Sequence, residues 1–327
     1  MSSITNTLKK SAKQILSALP FVKSKFEHYR ETSDQLAETR NKLNKVLFIS
    51  GFEPGHFYSP IPDLNEVKEY EQVIWGERNL PGIDMNTAFQ LQLLEEFKTH
   101  YNDYLYNKPG VDLTKLRYQK DGAWYRYSDC VFLHSVLMHF KPERMIEIGS
   151  GHSSALTLDV NEQYLNNELK ITFIEPYPKE RLLKIMTTED HKRHEIIEKK
   201  AQEVGIDKFK TLGKNDILFI DTTHVSKVGS DVNYLFLEIL PQLNSGVLIH
   251  IHDIFYPFEL PKHWIQENRW FWNENYLLHA FLINNKEFEI IAFNSYTQKL
   301  KKDWFAKEMP ECLIGNDDTG SIWLRKK

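Results

Sequence analysis

The second half of the chain alternates short β-prone runs with helical patterns, and this alternation limits the possible folds more than any other feature. Strands separated by helices need crossover connections, which produce a parallel sheet with helices on both faces. We therefore expect an α/β fold: a Rossmann-like, doubly wound, seven-stranded and mostly parallel sheet. The predicted strands are Arg144–Ile148, Lys170–Glu175, Glu195–Lys199, Asp216–Asp221, Gly246–His252, Glu287–Asn294 and Ser321–Arg325.

The segments between and before these strands carry helical periodicity. The predicted helices are Ala88–Tyr106, Ser128–Phe140, Ser154–Asn166, Lys179–Thr187, Val232–Leu240 and Tyr276–Asn284. Only a loop is expected between the last two strands, so they should form an antiparallel C-terminal hairpin at one edge of the sheet.

The rest of the chain suggests three parts with different compositions. Residues 1–46 predict a helical arm broken at Pro20, residues 47–127 a Pro/Gly-rich and aromatic cap or substrate-lid segment, and residues 128–327 the α/β domain. The arm has helically spaced apolar residues, Ile4, Leu8, Ala12, Ile15 and Leu19. This pattern favours a packing or oligomerisation arm, through which a homodimer is plausible; a basic amphipathic helix on a membrane surface is the alternative.

Charge and cysteine content exclude several classes of protein. The net charge of −4 gives no reason to expect nucleic-acid binding. Two cysteines, Cys130 and Cys312, cannot make a disulfide framework, so a reducing, cytoplasmic location is expected. No apolar run approaches the roughly 20 residues that a transmembrane helix needs.

The stretch Met145–Ser154, M-I-E-I-G-S-G-H-S-S, predicts a buried strand that runs into a tight turn and opens a helix. Gly149 and Gly151 allow a ligand to approach the main chain. A dinucleotide site would want a third glycine where Ser154 stands and an apolar residue where Glu147 stands. A carboxylate at this point suits a cationic ligand such as S-adenosyl-L-methionine, whose ribose hydroxyls can donate to Glu175 at the end of the second strand.

On these residues the sequence resembles the class I S-adenosylmethionine-dependent methyltransferases. It is most similar to a bacterial family with F-I-E-P-Y-P at strand two, I-D-x-x-H at strand four and H-I-H-D-I-F-Y-P at strand five, over roughly residues 50–327. The resemblance implies a cofactor site made by Glu147, Gly149, Ser150, Gly151, Ser153, Glu175, Gln202 and Asp221. Gln202 would meet the adenine; a solvated glutamine is the alternative.

Two further motifs end the fourth and fifth strands, where α/β sheets bind ligands. They are Asp221-Thr222-Thr223-His224 and His250-Ile251-His252-Asp253. Asp221, His252 and Asp253 could converge on one divalent cation, Mg²⁺ or Mn²⁺ with Fe²⁺ also open. The arrangement is similar to metal-dependent sugar O-methyltransferases, but His252 replaces the first acid of their strand-five pair.

His224 is the candidate general base, because an imidazole can take the proton of an acceptor hydroxyl during methyl transfer. A structural, hydrogen-bonded histidine is the alternative, and it is the interpretation we favour for His250. Asp231 is expected to be a helix N-cap.

The aromatic run Arg269–Tyr276 could stack on a sugar, or simply pack over a helix; with residues 52–63 it could form a lid. The sequence thus predicts an O-methyltransferase acting on a hydroxyl of a sugar, glycan precursor or secondary metabolite. An Fe(II)-dependent hydroxylase on the same fold and a non-catalytic scaffold of a glycan-assembly complex stay open.

Overall fold

The computed structural model describes residues 20–120, 123–315 and 319–327. The chain divides into two compact units, residues 1–71 and 72–327. The boundaries predicted at residues 46 and 127 remain predictions. The predicted apolar stripe from Ile4 to Leu19 lies outside the described residues.

The first unit contains one long helix. Helix α1 covers Pro20–Ser50, and a Pro/Gly-rich segment leads from it to the short helix α2, Leu64–Glu69. Asp63 caps α2, because its carboxylate accepts a hydrogen bond from the backbone N–H of Asn65 at 2.7 Å. Among the described residues, no helix is long and apolar enough to cross a membrane.

The second unit contains the sheet and the helices that cover it. The strands are β1 Arg144–Ile148, β2 Lys170–Ile174, β3 Glu195–Ile197, β4 Ile217–Ile220, β5 Leu248–His252, β6 Phe288–Phe293 and β7 Ser321–Lys326. The helices, beginning at the boundary between the units, are α3 Glu71–Ile74, α4 Thr87–Tyr101, α5 Ser128–Phe140, α6 His152–Tyr164, α7 Leu182–Ile185, α8 Thr188–Arg193, α9 Ile206–Phe209, α10 Asp231–Tyr234, α11 Lys262–Gln266, α12 Glu274–Leu282, α13 Asn294–Leu300 and α14 Lys302–Glu308.

The strand order is β3-β2-β1-β4-β5-β7-β6, with β7 antiparallel to both neighbours and the other pairs parallel. This confirms the predicted α/β class with an antiparallel C-terminal pair. We predicted only a loop between the last two strands, and this is wrong: the connection contains α13 and α14. In the sheet, β7 lies between β5 and β6, and β6 is at the edge.

Several helices are shorter than predicted. The run at 232–240 begins as α10 and continues as a π-helical segment, Leu235–Ile239. Pro241 follows that segment and lacks the N–H that a continuing helix needs. Likewise α4 ends at Tyr101, and only Leu182–Ile185 of the predicted helix 179–187 is α-helical.

The sheet is buried on both faces, which explains its nearly continuous apolar strands. One face carries Met145, Phe173, Phe219 and Trp323 in one hydrophobic cluster, and the other carries residues such as Ile249 and Ile251 in a second cluster. Buried polar side chains also lie on the first face: Glu147 and His252 are near the carboxyl ends of their strands, and His250 is in the middle of β5.

Candidate active site

The carboxyl ends of β1, β4 and β5 meet at a cavity of about 840 Å³. This is where an open α/β sheet is expected to bind its ligands. The cavity is lined by Ala123, Trp124, Tyr125, Arg126, Gly149, Ser150, Gly151, His152, Arg181, Asp221, Thr222, His224, His252, Asp253, His263, Trp264, Asn268, Trp270 and Trp272.

The glycine turn after β1 forms one wall of the cavity. Gly149 has φ of +79°, and a Cβ at this position would lie 1.8 Å from the backbone oxygen of Asp221. Only glycine therefore fits here. The turn is held by two side chains, since Ser150 N–H donates to Glu175 Oε2 at 3.1 Å and Gly151 N–H donates to Ser154 Oγ at 2.9 Å.

Glu147 lies beneath this turn and does not line the cavity. Its Oε1 accepts a hydrogen bond from Ser153 Oγ at 2.6 Å, whereas its buried Oε2 has no partner. Burial raises the pKa of Glu147 to about 8, in spite of the hydrogen bonds from Ser153 and Ser154. The carboxyl group is therefore mostly protonated at neutral pH, and a cation bound nearby would favour its ionisation.

The structure brings together only part of the predicted cofactor set. Gly149, Ser150, Gly151 and Asp221 line the cavity, whereas Glu147, Ser153, Glu175 and Gln202 do not. Glu175 is half-buried, and besides Ser150 it accepts a hydrogen bond from the N–H of Tyr177 at 2.8 Å. The side-chain amide of Gln202 donates to the backbone oxygen of Gly229 at 3.0 Å.

His224 lies at the centre of a buried group of carboxylates. Its Nε2 is 3.3 Å from Asp221 Oδ1 and 3.4 Å from Asp253 Oδ2, while its Nδ1 is 2.9 Å from Glu274 Oε2. The backbone oxygen of His224 also accepts from the N–H groups of Asn273 and Glu274 at 3.1 and 3.2 Å. These contacts fix the ring with Nδ1 towards Glu274 and Nε2 towards the cavity.

The charges around His224 decide its protonation. Burial by itself lowers the pKa of His224, but Asp221, Glu274 and Asp253 outweigh it and hold the pKa well above 6.5. Burial tends to raise the pKa of Asp221, but His252 and His224 bring it down to about 2. Burial raises the pKa of Glu274, and His224 opposes that rise. In the unliganded site these acidic side chains therefore favour the protonated form of His224.

The three predicted metal ligands are adjacent, but they do not surround an open position. The Nε2 atom of His224 lies between Asp221 and Asp253, where a cation shared by both carboxylates would bind. His252 Nε2 is 3.5 Å from Asp253 Oδ1. The described parts of the chain contain no group of three or more His, Cys, Asp or Glu residues arranged to hold a metal ion.

Sequence reasoning missed Glu274 and Arg181. Glu274 was noted only as a member of the aromatic run, yet it is 1% exposed and in contact with His224. The sequence signal that could have pointed to Glu274 was a single acid at the start of a helix, inside a run of tryptophans. Arg181 lines the cavity beside Gly151, and no motif in the sequence pointed to it.

Tryptophans form the outer wall of the cavity. Trp270 and Trp272 stack with ring centroids 5.0 Å apart, and Trp272 lies 4.7 Å from the ring of His224. Trp264 packs edge-on against both. Trp124, which is 72% exposed, approaches Trp270 from the other side at 6.2 Å. The predicted aromatic run thus contributes directly to the cavity.

Two other predicted roles have different outcomes. Asp231 is not the N-cap of α10; Ser230 is, because its hydroxyl accepts from the N–H of Asn233. Asp231 instead accepts from the hydroxyl of Thr223 at 2.6 Å and so fastens the loop that carries His224. His250 is fully buried and stacked on Phe219 at 4.0 Å, away from the cavity.

The chain matches a protein-family model and has a relative of more than 30% sequence identity. Residues 146–254 match the model of a family described as a methyltransferase domain. An uncharacterised protein of Archaeoglobus fulgidus is 34% identical over 169 residues, which cover 51% of this chain and 76% of the archaeal protein.

Solved structures with low similarity include two methyltransferases. S-adenosylhomocysteine-bound PaMTH1 of Podospora anserina is 15% identical, with a TM-score of 0.39 and coverage of 81% of this chain and 95% of that protein. Coclaurine N-methyltransferase is 12% identical, with a TM-score of 0.38 and coverage of 81% and 93%.

Proposed function

We propose an activity for this chain, which belongs to the same protein family as the Archaeoglobus fulgidus protein and carries a methyltransferase domain at residues 146–254. The proposed activity is transfer of a methyl group from S-adenosyl-L-methionine to a hydroxyl oxygen. One observation carries the choice of a hydroxyl: the Nε2 atom of His224 faces the cavity beside the glycine turn, and its Nδ1 is held by the buried carboxylate of Glu274.

The residues around the turn fit a cofactor with positive and negative groups. Asp221 lines the cavity and Glu147 lies beneath it with an unpartnered oxygen, so the site favours a sulfonium and an ammonium. Arg181 beside Gly151 suits a carboxylate. S-adenosyl-L-methionine supplies an electrophilic methyl group. Glu175, Ser153 and Gln202 remain proposed cofactor residues.

His224 would accept the proton of the acceptor hydroxyl at Nε2. This role needs a neutral ring, whereas the three carboxylates keep the unliganded ring protonated. The sulfonium of a bound cofactor near Asp221 would offset part of the carboxylate charge, and this would lower the pKa of His224 towards the range of a useful base. Glu274 keeps the Nδ1–H tautomer, so that Nε2 is the atom that gains the proton.

Metal assistance by Mg²⁺, Mn²⁺ or Fe²⁺ at Asp221, His252 and Asp253 is compatible with the types of these ligands. In the observed arrangement, however, the ring of His224 takes the position between the two carboxylates. A shared metal ion and this position of His224 exclude each other. Activity that survives dialysis against a chelator would support the metal-free mechanism, and restoration by one added cation would contradict it.

The wall of four tryptophans supports an acceptor with flat apolar faces and hydroxyl groups, such as a sugar, a glycan precursor or another secondary metabolite. Asn268 and Arg126 add polar groups at the same cavity. The acceptor and its methylated position are best found by screening sugars and phenols for S-adenosylhomocysteine release.

The His224→Ala variant tests the proposal. Loss of the base should reduce methyl transfer by about 10²–10⁴-fold, while calorimetry should show S-adenosyl-L-methionine binding unchanged. His191→Ala is the matched control, since His191 is exposed and is not part of the cavity lining.

Normal turnover in His224→Ala would reject His224 as the base. If the native protein has no affinity for S-adenosyl-L-methionine, the methyltransferase activity would be rejected and a scaffold favoured. Bound iron with oxygen uptake would favour the hydroxylase.

A further inference from the structure

Helix α1 exposes a long surface. It spans 31 residues, which corresponds to a length of about 46 Å. All described side chains between Ser24 and Lys45 are exposed. A helix of this kind gains most of its stability by packing one face against another element. The large apolar side chains on that surface therefore indicate where a partner would bind.

The exposed apolar residues of α1 follow a strict seven-residue period. Tyr29, Leu36 and Leu43 are 73%, 72% and 53% exposed, and they are the only large hydrophobic residues among the described side chains of Ser24–Lys45. The sequence extends the repeat, with Val22 one period earlier and Phe26, Ser33, Arg40 and Leu47 at the second seam position. One seam position is therefore apolar in four consecutive heptads, whereas the second is apolar only at its two ends, with Ser33 and Arg40 between them. A seven-residue repeat with 3-4 spacing of seam positions is the pattern of a left-handed coiled coil, in which polar seam residues select the orientation.

The charges along the helix favour one orientation of two identical helices. A parallel pair would place Arg40 opposite its own copy and would bring Lys25 close to Arg30 of the second helix, and both contacts are repulsive. In an antiparallel pair centred between Ser33 and Leu36, Arg40 lies beside Tyr29 of the second copy. Ser33 then lies beside Leu36 of the second copy. The first of these pairs places a cation beside an aromatic ring, and the second places a small side chain beside a large one.

We propose that α1 associates with the same helix of a second copy of this chain as an antiparallel two-stranded coiled coil. A membrane surface fits the described part of the helix less well. Its stripe is narrow, and the flanking charges nearly cancel: Lys25, Arg30, Arg40, Lys42 and Lys45 against Glu27, Glu31, Asp34 and Glu38. A membrane-surface helix needs a broad apolar face and a clear excess of basic residues.

Sedimentation of the full chain over a concentration series tests the association. The native protein should form a dimer, and Leu36→Glu combined with Leu43→Glu should weaken self-association by at least about 30-fold. Gln35→Glu is the control, because position 35 lies off the stripe and should leave the dimer intact. Circular dichroism checks that both variants keep their fold. The proposal would be overturned if the native protein is a monomer at all concentrations, whether or not it binds vesicles. It would also be overturned if the dimer survives the double substitution.

Disulfide trapping tests the orientation. In the antiparallel pair, two copies of position 29 are separated by 11 residues of helix, or about 16 Å, which is too far for a disulfide. Tyr29→Cys and Arg40→Cys should therefore not cross-link alone, whereas an equal mixture of the two should cross-link. Cys130 and Cys312 are buried and do not interfere. Efficient cross-linking of Tyr29→Cys with itself would show a parallel pair instead.

Discussion

His224 lies just beyond β4 and His250 lies within the neighbouring strand β5. Both are hidden from solvent, at 6% and 0% exposure, yet their surroundings are opposite. His224 has contacts with Asp221, Asp253 and Glu274. His250 lies between the rings of Phe219 and Trp323, and neither of its ring nitrogens has a partner among the described residues.

The difference comes from the position of each residue along its strand. His250 lies within β5, so its side chain enters the packed face of the sheet. Burial there, with a smaller contribution from the charge of His252, lowers its pKa well below 6.5. His224 lies in the loop beyond β4, with φ of +57°, where side chains from several loops converge. Equal burial thus gives a charged group at a strand end and a neutral group inside the strand.

The largest expected effect comes from replacing Glu274 with Gln. The variant keeps the shape of the side chain but removes the charge that fixes and protonates His224. We expect kcat to fall by roughly 100-fold, with little change in cofactor affinity. The pKa of His224 should also fall, so the acidic limb of the pH–rate profile should move to lower pH.

The control for this variant is Glu267→Gln, which changes an exposed acid on the neighbouring segment. If Glu274→Gln lowers kcat without moving the pH profile, Glu274 has only a structural role.

An intermediate effect is expected in the pH dependence of stability. The folded-state pKa of His224 is raised, so its contribution to stability is fully present below the unfolded pKa of about 6.5 and is lost as the pH rises through the folded pKa. The pKa of His250 is lowered, so its cost appears as the pH falls below about 6.5. Both variants should therefore differ from the native protein mainly below about pH 6.5 and with opposite signs: in thermal unfolding there, His224→Gln should be less stable and His250→Phe more stable than the native protein.

Glu147 and Asp129, with pKa values of about 8 and about 6, also titrate in this range. They are present in all three proteins, so the differences between melting curves isolate the two histidines. Parallel pH profiles for both variants would refute the contrast between the two sites.

The smallest effect is expected for His250→Phe at neutral pH. Phenylalanine preserves the stacking on Phe219 and removes two buried nitrogens that have no partner. The free energy of unfolding should change by less than about 1 kcal/mol, and methyl transfer should not change. A loss of several kcal/mol in chemical denaturation would show that the nitrogens bind buried water.

The sequence predicted most of the sheet because its strands are apolar runs bounded by turns and helices. It also predicted that Asp221, His252 and Asp253 would converge, with His224 at the end of the neighbouring strand, since neighbouring parallel strands end at one edge. It did not predict α13 and α14, because these helices come from largely polar residues without a strong helical period. It also did not predict that β7 lies beside β5, because strand order depends on long-range pairing that no local pattern records. Glu274 and His224 are 50 positions apart in the sequence, so no local sequence pattern predicts their contact.

The fit of Gly149 against the backbone of Asp221 has a consequence for motion. With no space for even one added carbon between them, the turn after β1 cannot shift towards β4 without pushing Asp221, and Asp221 in turn is in contact with His224. The close approach therefore fixes the spacing between the glycine turn and the loop that carries His224, so that both walls of the cavity keep one relative position.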